Sequence, residues 1–297
     1  IKNYLDNLGK TSQLFKNNLP SRRFEDKFVK KFQLCQVMSP RNSDLKQQKT
    51  NADIILDFIK VLEQKMDGVP STNMMVFDEY GFSDDCSTEN ESPLIGRLIK
   101  YPDGDEAREN TRLATSVIFS ATPKGKLLPV AITYKSIGPI AANGPEGAAY
   151  SSSESGWVDT SSFENYFRKI VFPWADSLPG VKVVIGNYPS THFSLRILQE
   201  CQFKDIRFVQ IPAATGHIRN PVRLCIFERL KEHWWISLRE WGSKTDNDEL
   251  PKEDFPELLK LILEKIEPLN TKLESCFWSC GMWPVSATPI FENMKRS

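Results

Sequence analysis

Apolar residues recur at three- and four-residue spacing in some stretches of this chain and run together in short blocks in others. Ile54, Ile55, Phe58, Ile59 and Leu62 follow the helical period, which predicts an amphipathic helix over Asn51–Met66, ended by Val69 and Pro70. Met74–Phe77 reads as a short apolar strand that stops at Asp78, and residues 80–112 are polar and patternless, so irregular structure is expected there. Ser116–Ala121 and Leu127–Tyr134 are β-rich runs on either side of Pro123-Lys124-Gly125, a hairpin signal. Residues 136–156 are rich in Gly, Ala and Ser and read as a loop. Then follow a helix over Ser162–Trp174, a strand over Val181–Ile185, a helix over His192–Cys201 and a strand over Ile206–Ile211. A long helical pattern runs from Pro221 to Trp241, and two further helices are expected over 253–267 and 270–280. This order predicts an α/β domain with a mixed central sheet.

The N-terminal region has a different pattern. Tyr4, Leu5 and Leu8 form one apolar stripe, and Phe24, Phe28 and Phe32 form another at four-residue spacing, opened by Pro20-Ser21. Arg22, Arg23, Lys27, Lys30 and Lys31 flank the second stripe. Small helices with one apolar and one basic side suit a helix-turn-helix module. Residues 35–50 are polar and read as a linker. The expected division is residues 1–45 as a partial helix-turn-helix segment, 46–70 as linker and helix, and 71–297 as the α/β domain.

Charge sharpens that division. The net charge is zero, yet residues 1–50 hold 11 Lys and Arg against 4 Asp and Glu, and the remainder holds 27 against 34. A basic head on a mildly acidic body concentrates nucleic-acid contact at the N-terminus, with Lys16, Arg22, Arg23, Lys27, Lys30 and Lys31 as the candidate DNA-binding residues. No apolar run approaches the roughly 18–20 residues that span a bilayer, so no membrane partner is expected. The six scattered cysteines suit a reducing compartment better than a disulfide framework. The chain starts at Ile1, so it is expected to be a fragment of a longer protein.

Several short motifs occur in a fixed order. They begin with Phe77-Asp78-Glu79 at a strand end, Thr115-Ser116-Val117-Ile118-Phe119 and Gly125-Lys126-Leu127-Leu128-Pro129. Ser155-Gly156-Trp157 with Phe163, Val184-Ile185-Gly186-Asn187 with Ser190-Thr191-His192, and Ile211-Pro212 with Thr215-Gly216-His217 come next. Asn220-Pro221, Phe227 with Leu230-Lys231, and Cys280-Gly281-Met282-Trp283-Pro284 close the series. Through these the chain resembles the catalytic domain of the pogo, Tigger and jerky-like DDE transposases, the group that includes centromere protein B. Tyr4-Leu5, Gly9-Lys10-Thr11 and Phe15-Lys16-Asn17-Asn18 resemble the second helix-turn-helix of the same proteins. The resemblance implies a ribonuclease-H-like fold with a mixed central sheet, preceded by a small α-helical segment.

It also implies a reaction. Members of the group hold two divalent cations on three carboxylates, and the cations activate water and stabilise the leaving oxygen in phosphodiester cleavage. The three positions correspond to Asp78, Asn187 and Arg223. Asn187 brings an amide oxygen without charge, and the Arg223 guanidinium is a permanent cation with no acceptor. The site charge falls from −3 to zero, so neither bound metal nor cleavage is expected, and no other cofactor is. An Asp78–Arg223 ion pair is expected where the cations would sit. Glu79, Asp84 and Asp85 carry no metal role in the group. Glu228, five residues past Arg223, lies about half a turn out of phase on an α-helix. His192 and His217 read as structural hydrogen-bonding groups, Cys276 and Cys280 as packing without a second pair to complete a zinc site, and Trp234, Trp235 and Trp241 as core or interface.

The resulting expectation is a catalytically inactive, transposase-derived nuclear protein. It would act in chromatin or transcription regulation through DNA binding by the N-terminal segment, protein partners and self-association as a homodimer. The alternatives are a sequence-specific DNA-binding protein that relies on the basic head, and an active metal-dependent endonuclease with remodelled ligands.

Overall fold

The computed structural model describes residues 9, 11–13, 15–21, 24, 50–86, 94–96, 113–136, 143–187, 194–212, 217–266 and 269–296. The chain divides into two compact units, Ile1–Leu45 and Lys46–Ser297. In the first, Lys16–Asn18 form a single tight turn in which Asn17 and Asn18 adopt left-handed backbone angles. The Asn18 side chain accepts from the Ser12 amide at 2.8 Å. Phe15 meets Phe24 edge-on at 4.7 Å, and the Ser21 hydroxyl accepts from the Phe24 amide, as at a helix start. Lys16 is exposed. Arg22, Arg23, Lys27, Lys30 and Lys31 lie outside the described residues.

The second unit opens with helix α1 (Asn51–Met66), started by a reciprocal cap between Thr50 and Asp53. It packs against the sheet of the same unit through Ile55, Phe58, Ile59 and Leu62. The sheet contains β1 (Met74–Ser83), β2 (Leu94–Gly96), β3 (Leu113–Ala121), β4 (Ala131–Lys135), β5 (Ala149–Ser153), β6 (Lys182–Gly186) and β7 (Ile206–Gln210). Six strands run in the order β5-β4-β3-β1-β6-β7, and β2 adds to β1. β1 is antiparallel to β3, and β3 to β4, whereas β1, β6 and β7 are mutually parallel. The mixed central sheet expected from the order of elements is therefore present.

Both faces of the sheet are covered. Met74, Val76, Tyr80 and Phe82 of β1 join one apolar cluster; Met75 and Phe77 join the other. The second face is covered by α2 (Thr160–Tyr166), which continues through a π turn (Phe167–Val171) into α3 (Phe172–Asp176), and by α4 (Leu195–Phe203). The first face carries a second π turn (Arg223–Phe227) leading into α5 (Glu228–Thr245), then α6 (Phe255–Ile266), α7 (Asn270–Ser279) and α8 (Thr288–Arg296). Each large side chain buried in these clusters, such as Phe167 or Trp234, contributes roughly 1.5–3 kcal/mol by leaving water. Trp234 is fully buried and its indole N–H donates to the Ser83 carbonyl at 3.2 Å.

Several expectations need correction. β1 does not stop at Asp78 but continues to Ser83, because β3 pairs with it as far as Ser83, β2 pairs with Tyr80–Phe82 on its other edge, and its two carboxylates are satisfied within the fold. The Gly/Ala/Ser-rich stretch contains β5, which pairs parallel with β4; its sequence hides this because strand formation there depends on a partner edge. β2 lies inside the stretch read as irregular. The hairpin signal was sound: Gly125, with φ of 76°, donates to the Thr122 carbonyl in the tight turn between β3 and β4. The helices over 160–176 and 221–245 both contain π turns that the sequence pattern did not reveal.

Candidate functional site

The parallel pairing of β1 with β6 sets Phe77 opposite Gly186, so the next residues on the two strands, Asp78 and Asn187, emerge side by side. Gly186 is required there: a Cβ would come within 2.6 Å of the Phe77 ring. Residue alternation along β1 sends the neighbouring carboxylates Asp78 and Glu79 to opposite faces. Glu79 accepts from the Val158 amide at 2.7 Å and so holds the chain ahead of α2. Asp78 shares its face with Tyr80, whose hydroxyl donates to Asp78 Oδ2 at 2.8 Å; the Glu79 amide donates to Oδ1 at 3.0 Å.

The third element is placed by Asn220. Its side-chain amide donates to the Phe77 carbonyl at 2.9 Å, and its Oδ1 accepts from the Val222 amide at 2.9 Å. One buried side chain thus ties the start of the Pro221 helix to the end of β1 beside Asp78. From there the π turn carries Arg223, which is exposed, and Phe227, which is buried. Phe227 stacks on Tyr80 with ring centroids 3.6 Å apart, and the Arg223 guanidinium lies 5.9 Å from the Phe227 ring centre.

The fold therefore brings the three positions expected from sequence to one end of the sheet, but the expected Asp78–Arg223 ion pair does not form. The ion pairs found among the described residues join Arg168 and Arg196 to Glu200 and Lys204 to Asp176. Asp78 is instead paired with Tyr80, and Arg223 reaches it only through its field. Burial pushes the Asp78 carboxyl up to about 6; the Tyr80 hydrogen bond, the Glu79 amide and the Arg223 charge pull the other way. Burial, then the Asp78 charge, raises the Tyr80 phenol well above its ordinary value. Asn187 is half-buried and its Oδ1 has no hydrogen-bond partner among the described residues.

Sequence reasoning missed Tyr80 and the role of Asn220. Both had a signal: Tyr80 is two residues from Asp78 and so on its strand face, and an Asn ahead of a Pro at a helix start suits a side-chain bond to the second following amide. It also misjudged Glu228. Residues five apart are hydrogen-bonded neighbours in a π turn, so Glu228 follows Arg223 by one turn rather than lying across the helix. Its charge acts on Tyr80. Of the remaining candidates, His217 is half-buried and His192 lies outside the described residues.

A pair of divalent cations needs several anionic oxygen donors. The positions here offer one buried carboxyl already bonded to Tyr80, one neutral amide and one cation, and this donor set does not fit such a pair. Among the described residues no group of three or more His, Cys, Asp or Glu is arranged to hold a metal ion.

Residues 111–267, more than half of the chain, match the family described as DDE superfamily endonuclease. The chain belongs to this family. Its fold is the mixed α/β, ribonuclease-H-like fold of DDE catalytic domains. No curated protein matches the chain. Among solved structures, the Mos1 transposase paired-end complex with left transposon end is 11% identical with a TM-score of 0.38, over 94% of this chain and 77% of that one. The catalytic domain of Mos1 mariner transposase is 10% identical with a TM-score of 0.35, over 80% of this chain and 98% of that one. The matched residues of this DDE domain include Asn187 and Arg223 and begin beyond Asp78. Among the described residues no helix is long and apolar enough to cross a membrane.

Proposed function

We propose that this DDE-family chain has lost phosphodiester cleavage and serves as a transposase-derived, DNA-binding nuclear protein in chromatin or transcription regulation, related to the pogo, Tigger and jerky-like group. The observation that carries the reading is the chemistry at the three positions: Asp78 buried and bonded to Tyr80, Asn187 neutral, Arg223 cationic. Cleavage through two cations needs negative charge that these residues do not supply. DNA binding by the basic N-terminal segment, protein partners in chromatin and self-association as a homodimer are the remaining uses of such a domain. The excess of basic residues within 1–50 supports the first.

Fluorescence anisotropy on duplex DNA across a salt series, with the full chain and with residues 1–50 removed, tests this. The expected result is binding by the full chain that weakens steeply with salt and is lost on truncation. A supercoiled-plasmid assay with Mg²⁺ or Mn²⁺ is expected to give no nicking above background. Negligible binding near physiological salt would leave the body as a protein-interaction module and overturn the DNA-anchored reading.

One observation bears on the endonuclease alternative: the π turn sets Glu228 one turn on from Arg223 rather than across the helix. Metal-dependent nicking that disappears in Glu228→Gln would establish a remodelled site in which Glu228 takes the third carboxylate's place.

A further inference from the structure

A cation site presents acceptors, yet the three positions at the end of the sheet present donors. The Asp78 carboxyl is buried, and its oxygens already accept from the Tyr80 hydroxyl at 2.8 Å and the Glu79 amide at 3.0 Å. Asn187 is half-buried and turns its acceptor, Oδ1, into the protein, which leaves the Nδ2 donor as the outward end of the amide. Arg223 is exposed and offers only N–H donors. Among the described residues no carboxylate lies within ion-pair distance of it.

A chain of contacts fixes Arg223 at this end of the sheet. Its guanidinium lies 5.9 Å from the centre of the Phe227 ring, which stacks on Tyr80 at 3.6 Å, and Tyr80 is bonded to Asp78. Asn220 ties the helix start to the Phe77 carbonyl, one residue before Asp78, while the register of β1 with β6 sets Asn187 beside Asp78. Asn220 Oδ1 also accepts from the Val222 amide, so the helix that runs on to Thr245 begins here, and its positive end adds to the Arg223 charge.

From this arrangement we infer that the three positions form a metal-independent anion site that takes a phosphate group, with Arg223 as its main contact and the Asn187 amide as a second donor. It rests on the proposed loss of cleavage, because bound cations would set like charge against Arg223. A guanidinium meets a phosphate with parallel, charge-assisted N–H···O bonds, and an amide N–H adds one more without adding charge. The phosphate can come from the backbone of duplex DNA or from a free phosphate ion.

The full chain is compared with Arg223→Ala, Arg223→Lys and Asn187→Ala, all in EDTA. For DNA, fluorescence anisotropy on a labelled duplex is followed across a salt series. Arg223→Ala is expected to lower the slope of log K against log salt by about 0.9, the loss of one phosphate contact. Arg223→Lys should keep the slope but bind more weakly, since the charge stays and the fork is lost. Asn187→Ala should weaken binding at unchanged slope. For the free ion, inorganic phosphate is titrated while the arginine side chains are followed by NMR. The Arg223 Nε–H signal, identified by its absence from Arg223→Ala, should move with phosphate and stay still in chloride of equal ionic strength. A lowered slope without that movement assigns the site to DNA, and movement with an unchanged slope assigns it to free phosphate. An unchanged slope together with an unmoved signal would overturn the site, as would either effect appearing only once Mg²⁺ is added. A chain that binds no DNA at all fails the DNA-anchored reading, and the phosphate titration then decides this site alone.

Discussion

The helix on one face of the central sheet passes through a π turn at Phe167–Val171, and the helix on the other passes through one at Arg223–Phe227. The first turn buries Phe167, Ile170 and Val171 in an apolar cluster, and Arg168 at its edge forms a two-pronged bond to Glu200 at 2.7 and 3.2 Å. The second turn buries Cys225, Ile226 and Phe227 in the same way. It differs in what lies at its ends: Asn220 anchors it to the Phe77 carbonyl beside Asp78, its Phe227 stacks on Tyr80, and the exposed Arg223 acts on Asp78 through its charge. Such turns are frequent at functional sites, but the comparison shows that the irregularity itself confers nothing. A π turn shifts the phase of whatever follows it, and it matters chemically only where charged groups follow and a buried carboxyl waits opposite.

The largest effect that could break the comparison is truncation of the two buried rings. Phe167→Ala and Phe227→Ala should each cost about 3–5 kcal/mol in urea unfolding. Only the second, which removes the stack on Tyr80, should alter the Asp78 titration followed by carbonyl NMR. Equal effects on that titration would erase the distinction between the turns.

Next in size is the pH dependence carried by Asp78. Its folded pKa of about 6 lies above the ordinary 3.8, so the folded state holds the proton more tightly and stability is lost as pH rises through that interval. The loss amounts to roughly 2 kcal/mol between pH 4 and 7. Asp78→Asn removes the titrating group, so the difference between the wild-type and variant stability curves should fall by that amount across the window. A flat difference curve would mean that Asp78 titrates alike in the folded and unfolded chain, and a rising one that its folded pKa is depressed.

A smaller cost, about 1–3 kcal/mol, is expected for Asn220→Ala, which leaves the buried Phe77 carbonyl without its side-chain donor. The smallest effects separate the two arginines. Arg168→Ala should cost roughly 0–1 kcal/mol, as for other pairs about a third exposed, with no change at Asp78. Arg223→Ala should raise the Asp78 pKa above about 6, because the Arg223 charge lowers it. An unchanged Asp78 titration in Arg223→Ala would place the guanidinium outside the site.

Much of the fold was legible in the residues. The helices at 51–66, 195–203 and 255–266, the β3–β4 hairpin and the strands β6 and β7 follow from period and turn chemistry, because each carries its signal locally. The C-terminal half of β1, and β5, were not legible. A strand buried on both faces loses the polar alternation that identifies one, and Asp78-Glu79 reads as an end rather than a middle. At the candidate site, the residue types alone give one carboxylate, one neutral amide and one cation at Asp78, Asn187 and Arg223. That Asp78 turns to Tyr80 rather than to Arg223 is a matter of which side chains the packing brings within reach.

By itself, then, the chain's sequence determined the α/β order, the family to which it belongs and the chemistry of the side chains at Asp78, Asn187 and Arg223. These depend on local periodicity and residue identity. The register that sets Asp78 beside Asn187, the π turn that shifts the phase of Glu228 and the stacking of Phe227 on Tyr80 were decided only by tertiary structure. Each depends on contacts between segments far apart in the chain, where a shift of one residue in register or helical phase moves every later side chain to another face.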